Sequence, residues 1–147
     1  MNTNIDQIDK TDRIDQKTIL VAVNDIFFYT KLRDALKPQG YTLERARAQD
    51  EVQEKASALK PAAAVLNMND PSVDGLKALE ALRADPASKQ LPVLAFANHE
   101  EVETWTRAKA LGVTKIVSRN EFSARTKELI KEILLNVELD STSSIQN

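Results

Sequence analysis

The sequence predicts an α/β domain in which helices cover both faces of a five-stranded parallel sheet. Three observations predict it. Apolar runs and helical patterns alternate five times between residues 17 and 139. The strand-like runs are continuously apolar rather than alternating, as strands buried on both faces are. Repeated βα units of this size pack as parallel strands joined by helical crossovers.

The elements follow in order. Thr18–Val23 (TILVAV) is a buried strand. Ile26–Lys37 is a helix with Phe28, Leu32, Ala35 and Leu36 at helical spacing, ended by Pro38-Gln39-Gly40. Tyr41–Ala46 (YTLERA) is a weaker strand, suited to an edge. Gln49–Lys60 is a helix with Val52, Ala56 and Leu59 on one face, and Pro61 stops it. Ala62–Asn67 (AAAVLN) is the third strand. Asp74–Ala84 is a helix carrying Leu76, Leu79 and Leu82, broken by Asp85-Pro86. Pro92–Ala97 (PVLAFA) is the fourth strand. Asn98 and Glu101 are spaced as a capping box for a helix running to Leu111, with Gly112 at its C′ position. Val113–Ser118 is the fifth strand, and Glu121–Leu139 the last helix. Met1–Gln16 and Asp140–Asn147 (DSTSSIQN) are expected to be disordered tails flanking one domain over residues 17–139.

Composition removes several classes of chemistry. The 147 residues include no cysteine, which excludes disulfides, thiolate metal sites and cysteine nucleophiles. One histidine, His99, excludes any site built from two imidazoles. No apolar run approaches the roughly 18 residues of a membrane span. The polar N-terminus is no secretory signal, so a cytoplasmic location is the expectation. Formal net charge is −2, all of it in residues 1–16, where Asp6, Asp9, Asp12 and Asp15 face only Lys10 and Arg13. The remainder is neutral, which argues against nucleic-acid and membrane partners. Glycine occurs only at positions 40, 75 and 112, so no phosphate-cradling glycine loop exists.

In open parallel sheets, sites form at the carboxyl ends of the strands. Those ends are Asn24-Asp25, then Asn67 followed by Met68-Asn69-Asp70-Pro71, then Ala97-Asn98, then Ser118-Arg119-Asn120. Pro61–Gly75 (PAAAVLNMNDPSVDG), Leu91–Asn98 and Ala108–Phe122 (AKALGVTKIVSRNEF), taken in this order, resemble the receiver domain of two-component response regulators. The resemblance covers about Lys17 to Leu139 and implies a flavodoxin-like fold with sheet order 2-1-3-4-5.

The departures from that family are pointed. By the resemblance, Asn67 stands at the phospho-acceptor position, and Asn24 and Asp25 stand at the acidic pair. Ala97 stands at the switch hydroxyl, Arg119 at the family lysine and Ile116 at the switch aromatic. The backbone of Asn69 would be the remaining metal contact. One carboxylate thus replaces three. Mg²⁺ prefers hard anionic oxygens, so its binding is expected to be weak or absent, with no other cofactor. A neutral amide is no nucleophile for phosphoryl transfer.

Each position also has a plainer reading. Asn67 would be a polar strand end satisfied by backbone groups. Asp25 would cap the following helix. Arg119 would pair with Asp25 across the pocket, or else bind an anion; the pairing is the expectation, because it compensates a lone carboxylate. His99 falls in the first turn of a solvated helix. Phe27-Phe28-Tyr29 reads as core plus one amphipathic residue. Trp105 lies at the edge of a face formed by Thr104, Ala108 and Leu111, either as a partner surface or packed on its own domain.

The expected function is therefore a non-enzymatic, atypical single-domain response regulator. It acts through a protein partner or as a homodimer, without phosphorylation, since no effector domain follows the last helix. The rivals are a phosphorelay receiver using Asp70, and a flavodoxin-like flavin or nucleotide binder.

Overall fold

The computed structural model describes residues 17–135. The order of elements is β1 (Thr18–Ala22), α1 (Ile26–Leu36), a 3₁₀ turn (Lys37–Gln39), β2 (Thr42–Arg45), α2 (Gln49–Leu59), β3 (Ala63–Asn67), α3 (Gly75–Ala84), β4 (Val93–Ala97), α4 (Val102–Ala110), β5 (Lys115–Ser118) and α5 (Arg119–Ala124). Residues 126–135 form a further helix, α6. The expected tails and the expected end of the last helix at Leu139 lie outside the described residues.

All five strands are parallel in the order β2-β1-β3-β4-β5. Successive side chains of a strand point to opposite faces, and both faces are covered. Ile19, Val21, Val65, Leu94, Phe96 and Val117 pack with α1 and with Phe122, Leu129, Ile130 and Ile133. Leu20, Leu66, Val93, Ala95 and Ile116 pack with residues of α2, α3 and α4. Every residue of β3 and β4 is buried, which is why their runs are unbroken. No residue of β2, at the sheet edge, is fully buried, and its sequence signal is correspondingly weak.

Two local expectations need correction. Asn98 and Glu101 form no capping box: α4 begins only at Val102, and Glu101 makes no side-chain cap. Asn98 Oδ1 instead accepts from Glu100 N–H at 2.9 Å, closing a turn that also contains His99. The last helix starts at Arg119, two residues early, because Ser118 Oγ accepts from Glu121 N–H and caps it. It then breaks at Arg125, where φ is −130° and ψ is 33°. Next to the break, Thr126 Oγ1 donates to the Phe122 carbonyl at 2.6 Å, a back-bond that competes with the helical ladder. Gly112 occupies the left-handed position after α4 at φ +85°, as its placement requires.

Candidate functional site

The carboxyl ends of β1, β3, β4 and β5 meet along one edge of the sheet. Asn67 ends β3 and is 4% exposed, flanked by Phe96 of the neighbouring strand. Its Oδ1 accepts from Asn69 N–H at 2.9 Å, so the side chain folds onto its own loop. Asn24, just past β1, donates Nδ2 to the Ala46 carbonyl at 3.1 Å and to Asp70 Oδ2 at 3.0 Å. Asn24 N–H also donates to Asp70 Oδ1 at 2.6 Å.

Asp70 is the hub of this edge. Besides the two bonds from Asn24, its Oδ2 accepts from Ser72 N–H at 3.0 Å and Val73 N–H at 3.2 Å. Its own N–H donates to the Asn67 carbonyl at 3.2 Å. The carboxylate therefore ties the end of β1 to the loop after β3. The turn onto Ser72 and Val73 was legible in Asp-Pro-Ser, since aspartate favours turns of this kind. The bond to Asn24, 46 residues away, had no sequence signal.

A second network links the loops after β3 and β4. Asn69 Oδ1 accepts from Asn98 N–H at 3.0 Å, and Asn69 Nδ2 donates to both carboxylate oxygens of Glu101 at 2.9 Å. This contact draws Glu101 away from helix capping. Trp105 is half-buried against the core, and its indole N–H donates to the Asn98 carbonyl at 3.0 Å. Its own domain thus holds the indole.

Asp25 caps α1: Oδ1 accepts from Phe27 N–H at 2.9 Å and Phe28 N–H at 3.2 Å. It forms no ion pair with Arg119, contrary to the expected pairing. The Arg119 guanidinium lies over the Phe28 ring, 5.3 Å from its centroid. Arg119 starts α5 rather than a loop, and the helix start directs it there. Ala97 is fully buried and offers no hydroxyl; its neighbour across the sheet, Ser118, has the hydroxyl but uses it as a cap. Ile116 is 9% exposed and belongs to the core.

Phe28, Asn98, His99, Ser118, Arg119 and Asn120 line a cleft of about 570 Å³ beside this network. Among the described residues, no three His, Cys, Asp or Glu side chains gather into a group able to hold a metal ion. No described helix is long and apolar enough to cross a membrane.

The family model for the response regulator receiver domain matches residues 19–133. No curated protein matches the chain. Solved structures similar to it include a signal receiver domain of a response regulator from Bermanella marisrubri, 21% identical, covering 81% of this chain and 98% of that one with a TM-score of 0.70. The signal receiver domain of a histidine kinase from Syntrophus aciditrophicus is 19% identical over 82% and 92% of the two chains, at 0.72. The receiver domain of a sensor histidine kinase from Pseudomonas aeruginosa PAO1 is 15% identical over 80% and 97%, at 0.70, and holds a magnesium ion in its active-site cleft. At these identities the likeness is one of fold.

Proposed function

The chain belongs to the response regulator receiver domain family, and we propose that it is a receiver that signals through protein contacts without aspartyl phosphorylation. The observation that carries this reading is Asn67: an uncharged amide at the acceptor position, buried, with its oxygen already accepting from Asn69 N–H. Phosphoryl transfer needs an attacking oxyanion and a cation to neutralise the incoming group. Neither requirement fits these residues.

The carboxylate of Asp70, three residues past Asn67, does not make a substitute nucleophile. Four N–H donors occupy its two oxygens. Three of these donors saturate Oδ2 and the fourth holds Oδ1 against the end of β1, so the carboxylate is fixed in place, and moving it to attack would strip β1 of its partner. Mg²⁺ fits poorly for the same reason. It demands several hard oxygens in near-octahedral array. Here Asn24 directs amide N–H groups into the pocket, and one oxygen of Asp25 is committed to the α1 cap.

On this reading the domain is a binding module rather than an enzyme, and its partners are proteins, a second copy included. The amide networks hold the loops after β1, β3 and β4 in one arrangement without a phosphoryl group. The test is incubation of the protein with Mg²⁺ and acetyl phosphate, followed by intact mass measurement. No mass increase is the expected result. An acid-stable-at-low-temperature, base-labile phosphoryl adduct would refute the reading, and its loss in Asp70→Ala would identify the acceptor.

A further inference from the structure

Two apolar side chains stand in solvent at the start of α1: Ile26 is 71% exposed and Phe27 55%. The core stripe of α1 runs through Phe28, Leu32 and Leu36, so helical geometry turns these two outward. With Thr30, Lys31 and Asp34 they line a hollow of about 370 Å³. The Phe27 ring meets Phe28 edge-on at 5.1 Å, and Phe28 in turn lines the cleft that contains His99 and Arg119. Consecutive residues of α1 thus line the hollow and the cleft.

Their charges differ. Among the described residues, no carboxylate lines the cleft, and Arg119 is its one formal charge. Lys31 Nζ sits 5.7 Å from the Phe27 ring centroid. Of the nearby acids, Asp25 is turned to the amides of α1, and Asp34 lies 3.5 Å from Arg33. A ligand matched to this surface carries an apolar side chain next to a carboxylate.

The chain's own N-terminal segment has that chemistry. Residues 5–16 read as four triplets, IDQ-IDK-TDR-IDQ, with aspartate second in each and isoleucine first in three. Residues 5–9 (IDQID) hold two isoleucines, two aspartates and no base. Asp9 precedes Lys17 by eight residues, a reach of about 26 Å when extended. The strand β1 that separates Lys17 from the α1 end of the sheet spans about 17 Å. Ile14 precedes Lys17 by three residues, or about 10 Å, and falls short. We propose that residues 5–9 dock on this surface of the same molecule, isoleucine in the hollow beside Phe27 and aspartate at Arg119. A tether this short sets an effective concentration of roughly millimolar, so individually weak contacts suffice. The docked segment covers the large exposed apolar side chains of α1. This inference goes beyond the phosphorylation-free reading and stands whether or not that reading holds.

The absence of native cysteine permits a single spin label at Thr3→Cys in the full chain. Paramagnetic broadening is read on backbone amides by NMR. The expected result is loss of amide intensity centred on residues 26–31, 98–99 and 118–120, which line the hollow and the cleft. The paired changes Ile5→Ser with Ile8→Ser, and Asp6→Asn with Asp9→Asn, each restore the intensity, whereas Ile14→Ser does not. All three sets of changes lie before Lys17, and unchanged amide positions over residues 17–135 verify that the fold is kept. Absence of localised broadening, or broadening indifferent to the two pairs, overturns the proposal. A mixture of spin-labelled and isotope-labelled molecules separates the remaining case: broadening carried between molecules assigns the surface to a second copy and overturns docking in cis.

Discussion

Asp70 concentrates more of the site's bonding than any other side chain, and its removal is the sharpest test at the scale of one residue. Asp70→Ala leaves the Asn24 N–H and amide, and the Ser72 and Val73 N–H groups, without their acceptor. Hydrogen bonds to a charged group contribute about 1.5–3 kcal/mol each but do not add in full, so a loss of about 2–3 kcal/mol is expected in urea unfolding. Asp70→Asn, which keeps an acceptor, is expected to lose less. Adding a charge at Asn24 has the opposite character. Asn24→Asp replaces an amide donor with a carboxylate against Asp70, and like charges in contact destabilise. A lower urea midpoint at neutral pH, partly recovered by added Mg²⁺, is the expected outcome. Gly75 is constrained by space rather than charge: a Cβ there would lie 2.5 Å from Met68 Sδ and 3.0 Å from Met68 Cα. Gly75→Ala is expected to cost about 1–3 kcal/mol through displacement of the loop after β3.

At the scale of elements, the helices after β5 are held to the sheet by two devices. The first is aromatic. Phe96 of β4 and Phe122 of α5 stack with centroids 4.0 Å apart, both fully buried, and Phe28 of α1 meets Phe96 at 4.9 Å. Phe96→Ala is expected to cost about 3–5 kcal/mol in chemical denaturation, because all three elements lose a shared contact. The second is ionic. Lys115 of β5 bonds Glu132 of α6 at 3.1 Å, and Arg125 between α5 and α6 contacts both Glu121 and Glu132. The hydrogen bond from Lys115, aided by the positive charges of Lys115 and Arg125, holds the Glu132 carboxyl below its ordinary value. Asp85, at the end of α3, is likewise lowered, chiefly by Ala87 N–H and then by the Ser57 hydroxyl. A depressed carboxyl stabilises the fold at pH above its unfolded value, and that share is lost as pH falls through the folded value. Arg125 is raised, chiefly by the charge of Glu132, so its share is lost only at extreme alkalinity. Thermal stability is therefore expected to fall on acidification through the carboxylate range, and Glu132→Gln to flatten that dependence in a melting series against pH.

For the whole molecule, hydrogen bonds made by Asp70 and Asn69 cross-brace the loops at the carboxyl ends of β1, β3 and β4. Asp70 joins the edges of β1 and β3, and Asn69 joins those of β3 and β4 through Asn98 and Glu101. Much of the scaffold for this was legible. The unbroken apolar runs of β1, β3 and β4 announce burial on both faces, and Phe28, Leu32 and Leu36 mark the core face of α1. The amides at positions 24 and 67 could be placed at strand ends because a strand's end follows from where its apolar run stops. The capping role of Asp25 was also open to view, being settled within three residues of chain.

What remained hidden shares one property. The Asp70–Asn24 bonds, the Asn69–Glu101 contact, the bond of the Trp105 indole to the Asn98 carbonyl, and the turn of Arg119 onto Phe28 instead of Asp25 all join groups from different loops or elements. Periodicity and turn chemistry report on neighbours along the chain. They carry no distance between loops, which is set by how the strands register and how closely helices approach the sheet. The sequence by itself therefore determined the layers, the parallel sheet and the uncharged residue, Asn67, that ends the central strand β3. The tertiary structure alone decided which polar groups satisfy one another there, since that choice depends on positions brought together only when the sheet is assembled.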